Sequence, residues 1–346
     1  MAKTDTTNPR KLTVSRILQK ITGVFLIQMR RIWRHLPASL RLLPPGKAYG
    51  RQLHRFVRLH ADRKQYFATF FLRNRPEMEL MRRLVDQRPP GSRLDMTILA
   101  CSKGAEVYSM MWVIRSARPD LQLNMHAVDI SQEIADFAAN GVYLLDSPDE
   151  VTRAEEEAAK RRGEVSWNTF RDQGAAWMFE RMSKDEIDGM FEVEGNRASV
   201  RPWLKQGITW LCADAGDSKL REAIGLQDIV MANRFLCHMK PPEALSCLRN
   251  IGRLVKPGGY LFVSGLDLDV RTTVALEMGW KPVTDLIREI HEGDDSIRSA
   301  WPMDYWGLEP FDDRRPDFQI RYASVYQVGE APCNDEEFAS YESSRR

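Results

Sequence analysis

The chain has 346 residues, of which 43% are hydrophobic and 28% are charged, enough for a full α/β domain and a smaller unit. Its 5 cysteines are scattered and form no C-x-x-C pair, which argues against a disulfide framework or a zinc site and favours a reducing cytoplasm. The longest apolar run near the N-terminus, Val24–Ile27, is far shorter than the roughly 20 residues that cross a bilayer, so we expect neither a membrane span nor a secretory signal.

The N-terminal part of the chain is strongly basic. Residues 1–64 contain 15 Lys and Arg but only 2 Asp. Residues 1–12 are expected to be disordered, and from Val14 to Leu36 apolar residues recur at helical spacing among basic ones. This amphipathic helix could pack on the rest of the protein or act as an organellar transit peptide. Alternatively, residues 14–64 as a whole could form a surface that binds an acidic protein or the anionic inner face of a membrane. No interleaved aromatic and basic pattern indicates nucleic acid.

Prolines and glycines divide the chain into segments. Helical periodicity, interrupted by prolines, continues through residues 13–90, which we predict to be a basic helical cap that ends at Pro89–Gly91. Residues 91–330 form the predicted α/β domain, and residues 331–346 are expected to be a disordered tail.

Strands and helices alternate within the predicted domain. The apolar strands are expected at residues 96–100, 123–128, 208–214, 228–233, 260–264 and 321–328, and the helices at 105–118, 131–140 and 242–256. This alternation predicts a Rossmann-like α/β sheet, mostly parallel and of about seven strands, with its ligand crevice at the carboxyl ends of the strands. Residues 146–206 are a predicted insertion with a charged helix near 149–162 and a β-hairpin at Met190–Arg201.

The turn after the first strand, Ala100–Ser109, points to a particular ligand. It contains one glycine, Gly104, and an acid, Glu106, where dinucleotide and phosphate loops need more glycines and no carboxylate. A carboxylate suits a cofactor with positive charge and no phosphate, which describes S-adenosylmethionine. Asp129, at the tip of the next strand, would accept hydrogen bonds from ribose hydroxyls. The alternative is an ordinary helix start, capped by Ser102.

Several motifs together resemble the chemotaxis receptor methyltransferase (CheR-type) family of S-adenosylmethionine-dependent enzymes. The resemblance covers roughly residues 66–265. The matching segments are Ala100–Ser109 (family A-x-S-T-G-E-E-P-Y-S), Ala127–Ile130 (A-T/S-D-I), Ile229–His238 (I-F-C-R-N-V-L-I-Y-F), Leu254–Phe262 (L-K-P-G-G-Y-L-F) and the Phe70-Phe71 pair. The resemblance implies a class I methyltransferase sheet with a helical N-terminal cap.

The resemblance also implies a set of cofactor-binding residues. Glu106 would hold the methionyl-amino end of S-adenosylmethionine and Asp129 its ribose, and Asn233 would lie near the methyl group. The family's arginine after Phe-Phe corresponds to Leu72, and Arg73 could replace it only through a one-residue slip. The residues expected to bind the cofactor are Ala100, Ser102, Gly104, Glu106, Asp129, Ile130, Asp214, Ala215, Asn233 and Arg73.

The acceptor is less defined than the cofactor. A tyrosine of the family's methyl-transfer site corresponds to Cys237, which weakens the expectation of the family's receptor-glutamate substrate. Methyl transfer from a sulfonium is an in-line displacement that needs no metal, and a carboxylate acceptor needs no base, whereas a hydroxyl or amine gains from one. The candidate catalytic residues are Asn233, His238 and Asp267.

These observations predict a cytoplasmic S-adenosylmethionine-dependent methyltransferase that methylates an oxygen of a carboxylate or hydroxyl, such as a protein glutamate. One alternative is a methyltransferase that acts on a small molecule, a glycan or a lipid head group. The other is a non-catalytic regulatory module that binds the cofactor.

Overall fold

The computed structural model describes residues 23–61, 63, 69–145 and 176–329. The predicted helix near 149–162, the predicted disordered ends and the first part of the basic helix lie outside the described residues. Contacts divide the described chain into two compact units. The first contains the residues up to Arg63 and Asp295–Pro310, and the second contains the rest.

The first unit is helical. Its elements are α1, which covers residues 23–35, α2 Ala38–Leu42, α3 Pro44–His60 and, later in the chain, a short helix at Asp295–Arg298. Pro44 and Pro45 suit the first turn of α3, where backbone N–H groups have no helical acceptor. The buried core of this unit is formed by Met29, Trp33, Leu53, Val57 and Tyr305.

The division into units differs from the predicted boundary at residue 90. Residues 295–310, which the sequence places in the α/β domain, pack in the first unit, where Trp301 lies edge-on against Trp33 with ring centroids 5.4 Å apart. Conversely, α4 Arg75–Asp86 belongs to the second unit, because its apolar face joins the main core through side chains such as Met81.

The second unit is built around a seven-stranded sheet. The strands of this unit are β1 Arg93–Leu99, β2 Gln122–Asp129, β3 Val142–Leu144, β4 Phe191–Glu194, β5 Arg197–Val200, β6 Ile208–Cys212, β7 Gln227–Met231, β8 Val255–Phe262, β9 Lys281–Pro282 and β10 Val325–Gln327. The large sheet has the order β6-β2-β1-β7-β8-β10-β9. The first five of these strands are parallel, and β10 is antiparallel to both β8 and β9. This arrangement confirms the predicted Rossmann-like, mostly parallel sheet.

Helices cover both faces of the large sheet. The further helices are α5 Ala105–Ala117, α6 Gln132–Asn140, α7 Lys184–Met190, α8 Pro202–Lys205, α9 Leu220–Ile224, α10 Pro241–Gly252, α11 Leu268–Glu277, α12 Ile287–Glu292 and α13 Phe318–Tyr322. Short 3₁₀ turns span Ala176–Phe179 and Leu236–His238. Along β7, Ile229 and Met231 join one hydrophobic cluster and Val230 joins the other. Because successive side chains of a strand point to opposite faces, the sheet is buried on both sides.

A second, three-stranded sheet contains the predicted hairpin. Strands β4 and β5 pair antiparallel on either side of Gly195 and Asn196, and β3 pairs with β5. Phe71 packs on this sheet, with ring centroids 5.2 Å from Tyr143 and 5.1 Å from Phe191. These ring contacts fix the chain just before α4, at one edge of the crevice described below.

The predicted strand at 321–328 is shorter than expected. Its first residues end α13, and only Val325–Gln327 pair with β8 and β9. The fully buried Arg271 contacts this segment, and its guanidinium donates to the backbone oxygen of Arg321 at 2.8 Å and to Oγ of Ser324 at 3.3 Å. The backbone oxygen of Ser324 accepts from the N–H of Val263 at 2.7 Å, next to the paired residues.

Candidate active site

A cavity of about 160 Å³ lies at the carboxyl ends of β1, β2, β6 and β7, where the sequence places the ligand crevice. Predicted site residues that line it are Arg73, Ala100, Ser102, Glu106, Asp129, Ile130, Asp214, Ala215, Asn233 and His238. Other lining residues were not predicted, and Glu77 and Arg234 carry charge among them. Gly104 and Asp267 are not among the residues that line this cavity.

The turn between β1 and α5 supports Asp129. The backbone N–H of Ser102 donates to Oδ2 of Asp129 at 2.8 Å, and the N–H of Ser131 donates to Oδ1 at 3.1 Å. Burial raises the pKa of this carboxyl, although the two donors oppose the shift. A carboxylate has about four lone pairs, so lone pairs of Asp129 are left for a ligand in the cavity.

Gly104 shapes the same turn without lining the cavity. It is the N-cap of α5 with φ of 83°, a left-handed conformation that glycine adopts without strain, and a Cβ there would lie 3.0 Å from Cβ of Ala138. The alternative interpretation, a helix start capped by Ser102, differs from the structure, in which Gly104 occupies the N-cap position. Gly104 therefore shapes the site by allowing the left-handed backbone conformation of this turn, and it does not itself line the cavity.

The chain before α4 brings Arg73 to the cavity. Leu72 has φ of 50°, its side chain is buried, and its N–H donates to Oγ of Ser109 at 2.9 Å. The next side chain, Arg73, lines the cavity. The residue in strict register with the family arginine therefore lies in the core, and the residue one position later faces the crevice.

Three arginines surround one carboxylate beside the cavity. The side chain of Asp294 is fully buried and pairs with Arg73 at 2.9 Å, Arg234 at 2.9 Å and Arg181 at 3.0 Å. Burial, followed by repulsion from Arg234, lowers the pKa of the Arg73 guanidinium to about 9. The carboxylate of Asp294 thus forms ion pairs with three guanidinium groups, and two of these arginines, Arg73 and Arg234, line the cavity.

Asn233 connects the carboxylates of the cavity. Its Oδ1 accepts from the backbone N–H and the hydroxyl of Ser264, at 2.9 and 2.8 Å. A backbone N–H can only donate, so the amide nitrogen must face the other way. That nitrogen donates to Oε1 of Glu77 and to Oε1 of Glu106, both at 2.8 Å. Asn233 therefore positions both acids.

Glu77 is a site residue that the sequence analysis missed. It is 2% exposed, and the side chain of Asn74 caps its helix by accepting from the N–H of Glu77 at 3.3 Å. Burial and the neighbouring Glu106 raise the pKa of Glu77 to about 7. The helix start was visible as an asparagine followed by a proline, but the partners of Glu77 are more than a hundred residues distant along the chain or on another helix.

The remaining predicted residues differ in their placement. His238 ends the 3₁₀ turn after β7 and lines the cavity, and Cys237 beside it is buried. Asp267 is the N-cap of α11 and accepts from the N–H of Asp269 at 3.0 Å. The structure does not bring Asp267 to the cavity with the other predicted residues, because its carboxylate caps α11.

The strand order and the cavity at the strand ends are those of the Rossmann-like fold of class I methyltransferases. Two family models match segments of the chain. Residues 68–165 match the CheR methyltransferase, SAM binding domain, and residues 185–263 match the methyltransferase domain family. Both matches are to methyltransferase domain families, and each covers less than a third of the chain.

Comparisons with whole proteins give only distant similarities. No curated protein matches the chain significantly. Among solved structures, the CcbJ methyltransferase from Streptomyces caelestis is 14% identical over 54% of this chain and 51% of that chain, with a TM-score of 0.28. An O-methyltransferase family protein from Burkholderia thailandensis is 16% identical over 92% and 70%, with a TM-score of 0.34. The chain thus spans about half the length of the CcbJ methyltransferase, and similarities this low carry no information on the substrate.

Proposed function

We propose that this protein transfers the methyl group of S-adenosylmethionine to an oxygen of a carboxylate or hydroxyl acceptor. The observation that carries the proposal is the convergence of Glu106, Asp129 and Asn233 on one cavity at the carboxyl ends of the parallel strands. These groups suit a cationic nucleoside and offer no phosphate-binding loop.

The cavity residues fit the chemical groups of the cofactor. Asp129 would hold the ribose hydroxyls, because its two backbone donors leave lone pairs for them. Glu106 would face the α-ammonium group and Arg73 the carboxylate of the methionyl end. Asp214 and Ala215, which follow β6, would flank the adenine.

When bound, S-adenosylmethionine supplies a methyl carbon that is activated by its sulfonium. The contribution of the protein is alignment, which can be worth about 7–11 kcal/mol of the barrier. Asn233, fixed by Ser264, orients the charged groups at the reacting end of the cavity. A hydroxyl acceptor would transfer a proton to a base, and His238, which lines the cavity, is the proposed base.

The acceptor class can be tested with methyl-labelled S-adenosylmethionine and a cell extract. We expect the full chain to bind S-adenosylmethionine by calorimetry and to label a component of the extract. Label released from protein by mild base would mark a carboxyl ester, and base-stable label in the lipid or small-molecule fraction would support the alternative acceptors. Binding without turnover would support a regulatory module, and absence of binding would contradict a methyltransferase.

We also propose that the first unit contacts the anionic inner face of a membrane. No helix in the described chain is long and apolar enough to cross a bilayer. Residues 23–61 contain 8 Lys and Arg but no Asp or Glu. They also carry exposed apolar side chains, namely Val24, Phe25, Ile27, Ile32, Leu40, Leu43 and Leu59. Exposed apolar groups among cations suit binding at a lipid interface.

Flotation with vesicles tests this surface. We expect the full chain to float with phosphatidylserine vesicles and not with phosphatidylcholine vesicles, and to be released by salt because the attraction is partly electrostatic. Val24 and Ile27 are 61% and 63% exposed. Replacing both by serine should reduce flotation several-fold, because each replacement removes about 1.5–3 kcal/mol of apolar transfer free energy if the side chain is fully inserted in the membrane. Leu276→Ser, at 65% exposure on α11, is the control. Equal losses in all variants, or no flotation, would contradict the proposal.

A further inference from the structure

Two carboxylates share one amide nitrogen in the cavity. Glu77, from α4, and Glu106, from α5, each accept a hydrogen bond from Nδ2 of Asn233. Within the described ranges, neither carboxylate forms an ion pair. The arginines of the cavity, Arg73 and Arg234, pair instead with Asp294. The two acids therefore share a neutral donor and, among the residues that the structure describes, have no cation of their own at contact distance.

Glu77 is the more deeply buried of the two. One of its oxygens, Oε2, is buried and has no hydrogen-bond partner in the part of the chain that the structure describes. The charged groups that face Glu77 are Glu106 from α5, Arg234 from the chain after β7 and Asp294 from the chain after α12. A buried carboxyl group near another acid is stable either with a proton or beside a cation.

We infer that Glu77 is the second carboxylate of the cofactor site: without a cationic ligand it holds a proton below neutral pH, and it releases that proton when S-adenosylmethionine enters. This inference rests on the proposed function. It makes affinity depend on the positive charge of the ligand. Once the methyl group has left, the sulfur is neutral, Glu77 takes up a proton again, and the product binds less tightly than the cofactor.

The titration of Glu77 agrees with this role. Its pKa of about 7, raised by burial and by Glu106, leaves Glu77 mostly protonated at pH 6 and mostly ionised at pH 7.5. If the cationic cofactor binds the ionised form, its affinity rises roughly tenfold over that interval through linkage. A ligand without positive charge gains nothing from the ionisation.

Calorimetry of the full chain in phosphate and in Tris measures the protons released on binding. We expect proton release near pH 7 to be largest for S-adenosylmethionine, smaller for S-adenosylhomocysteine, which keeps only the ammonium, and absent for methylthioadenosine, which has neither cation. Glu77→Gln should abolish the release and flatten the roughly tenfold pH dependence of S-adenosylmethionine affinity.

Two further variants control the experiment. Glu79→Gln removes a surface carboxylate of the same helix, whose pKa is held near 2 by hydrogen bonds from Arg82 and Arg83, and it should behave as the wild type. His238→Gln tests a second titratable side chain among those that line the cavity, and loss of proton release there would overturn the assignment to Glu77. Unchanged proton release in Glu77→Gln would overturn it as well. Failure to bind either S-adenosylmethionine or S-adenosylhomocysteine would instead contradict the proposed function.

Stability gives a readout that needs no ligand. A raised carboxyl pKa means that the folded state holds the proton more tightly, so the contribution of Glu77 to stability is full below pH 4.5 and is lost as the pH rises through about 7. Glutamine keeps an oxygen for Asn233 and does not titrate. The midpoint temperature of Glu77→Gln should therefore rise relative to the wild type between pH 4.5 and 8, and a constant difference would count against the inference.

Discussion

Replacing Asp129 by alanine is expected to lower the affinity for S-adenosylmethionine by at least roughly 100-fold, because hydrogen bonds to a charged group contribute about 1.5–3 kcal/mol each. The carboxylate lies at the carboxyl end of β2, and the N–H groups of Ser102 and Ser131 already fix both of its oxygens. It is thus oriented before any ligand arrives. Titration calorimetry with S-adenosylhomocysteine measures the loss without the need for an acceptor.

The control for this prediction is Asp136→Ala. Asp136 lies on the exposed side of α6 and accepts from Gln132, so its removal should change affinity by less than about threefold. Thermal unfolding of both variants separates lost binding from lost folding. If Asp129→Ala bound within a factor of three of the wild type while folded, the assignment of the ribose site to β2 would be wrong.

Replacing Asp294 by alanine is expected to destabilise the second unit by about 3–5 kcal/mol, the cost of leaving buried charges without their partner. Asp294 lies 2.9 to 3.0 Å from three guanidinium groups, and its side chain has no exposed surface. Without it, Arg73, Arg181 and Arg234 would repel one another in a poorly solvated place. Urea unfolding followed by tryptophan fluorescence measures the change.

The neighbouring Asp295 provides the matched control. Its side chain is 81% exposed and pairs with Arg298 on the surface, an interaction worth at most about 1 kcal/mol. Asp294→Asn should fall between the two, because it keeps one acceptor oxygen. Equal effects of Asp294→Ala and Asp295→Ala would show that the arginine cluster does not depend on its carboxylate.

The sheet could be predicted from the sequence because each strand is a local signal. The runs at 96–100, 123–128, 208–214 and 228–233 are apolar and end in turns or polar residues, and their alternation with helices leaves few topologies. The prediction of the last strand was less accurate, because its first residues form the end of α13, where Arg271 contacts the backbone from another helix. Likewise, Lys256 lies inside β8 and does not end a helix.

The residues that line the cavity were predictable from the sequence where they lie at the carboxyl end of a strand. Asp129 and Asn233 stand there, and both line the cavity. Glu77 was missed because its role depends on a contact with Asn233, 156 residues away. The position of Asp267 was not predictable, because a carboxylate after a strand can face a ligand or cap the next helix, and here it accepts from the N–H of Asp269.

The turn at Leu72 has a consequence for how sequences of such enzymes are compared. Phe71 is anchored by rings on one side and Asn74 by its cap on the other, so the two residues between them share a fixed span. Within that span the backbone conformation, not the alignment column, decides which side chain is buried and which reaches the cavity. Two proteins whose arginines are offset by one residue in an alignment can therefore place their guanidinium groups at the same position in the cavity. A missing arginine in the alignment column of Leu72 is thus not evidence of a missing function.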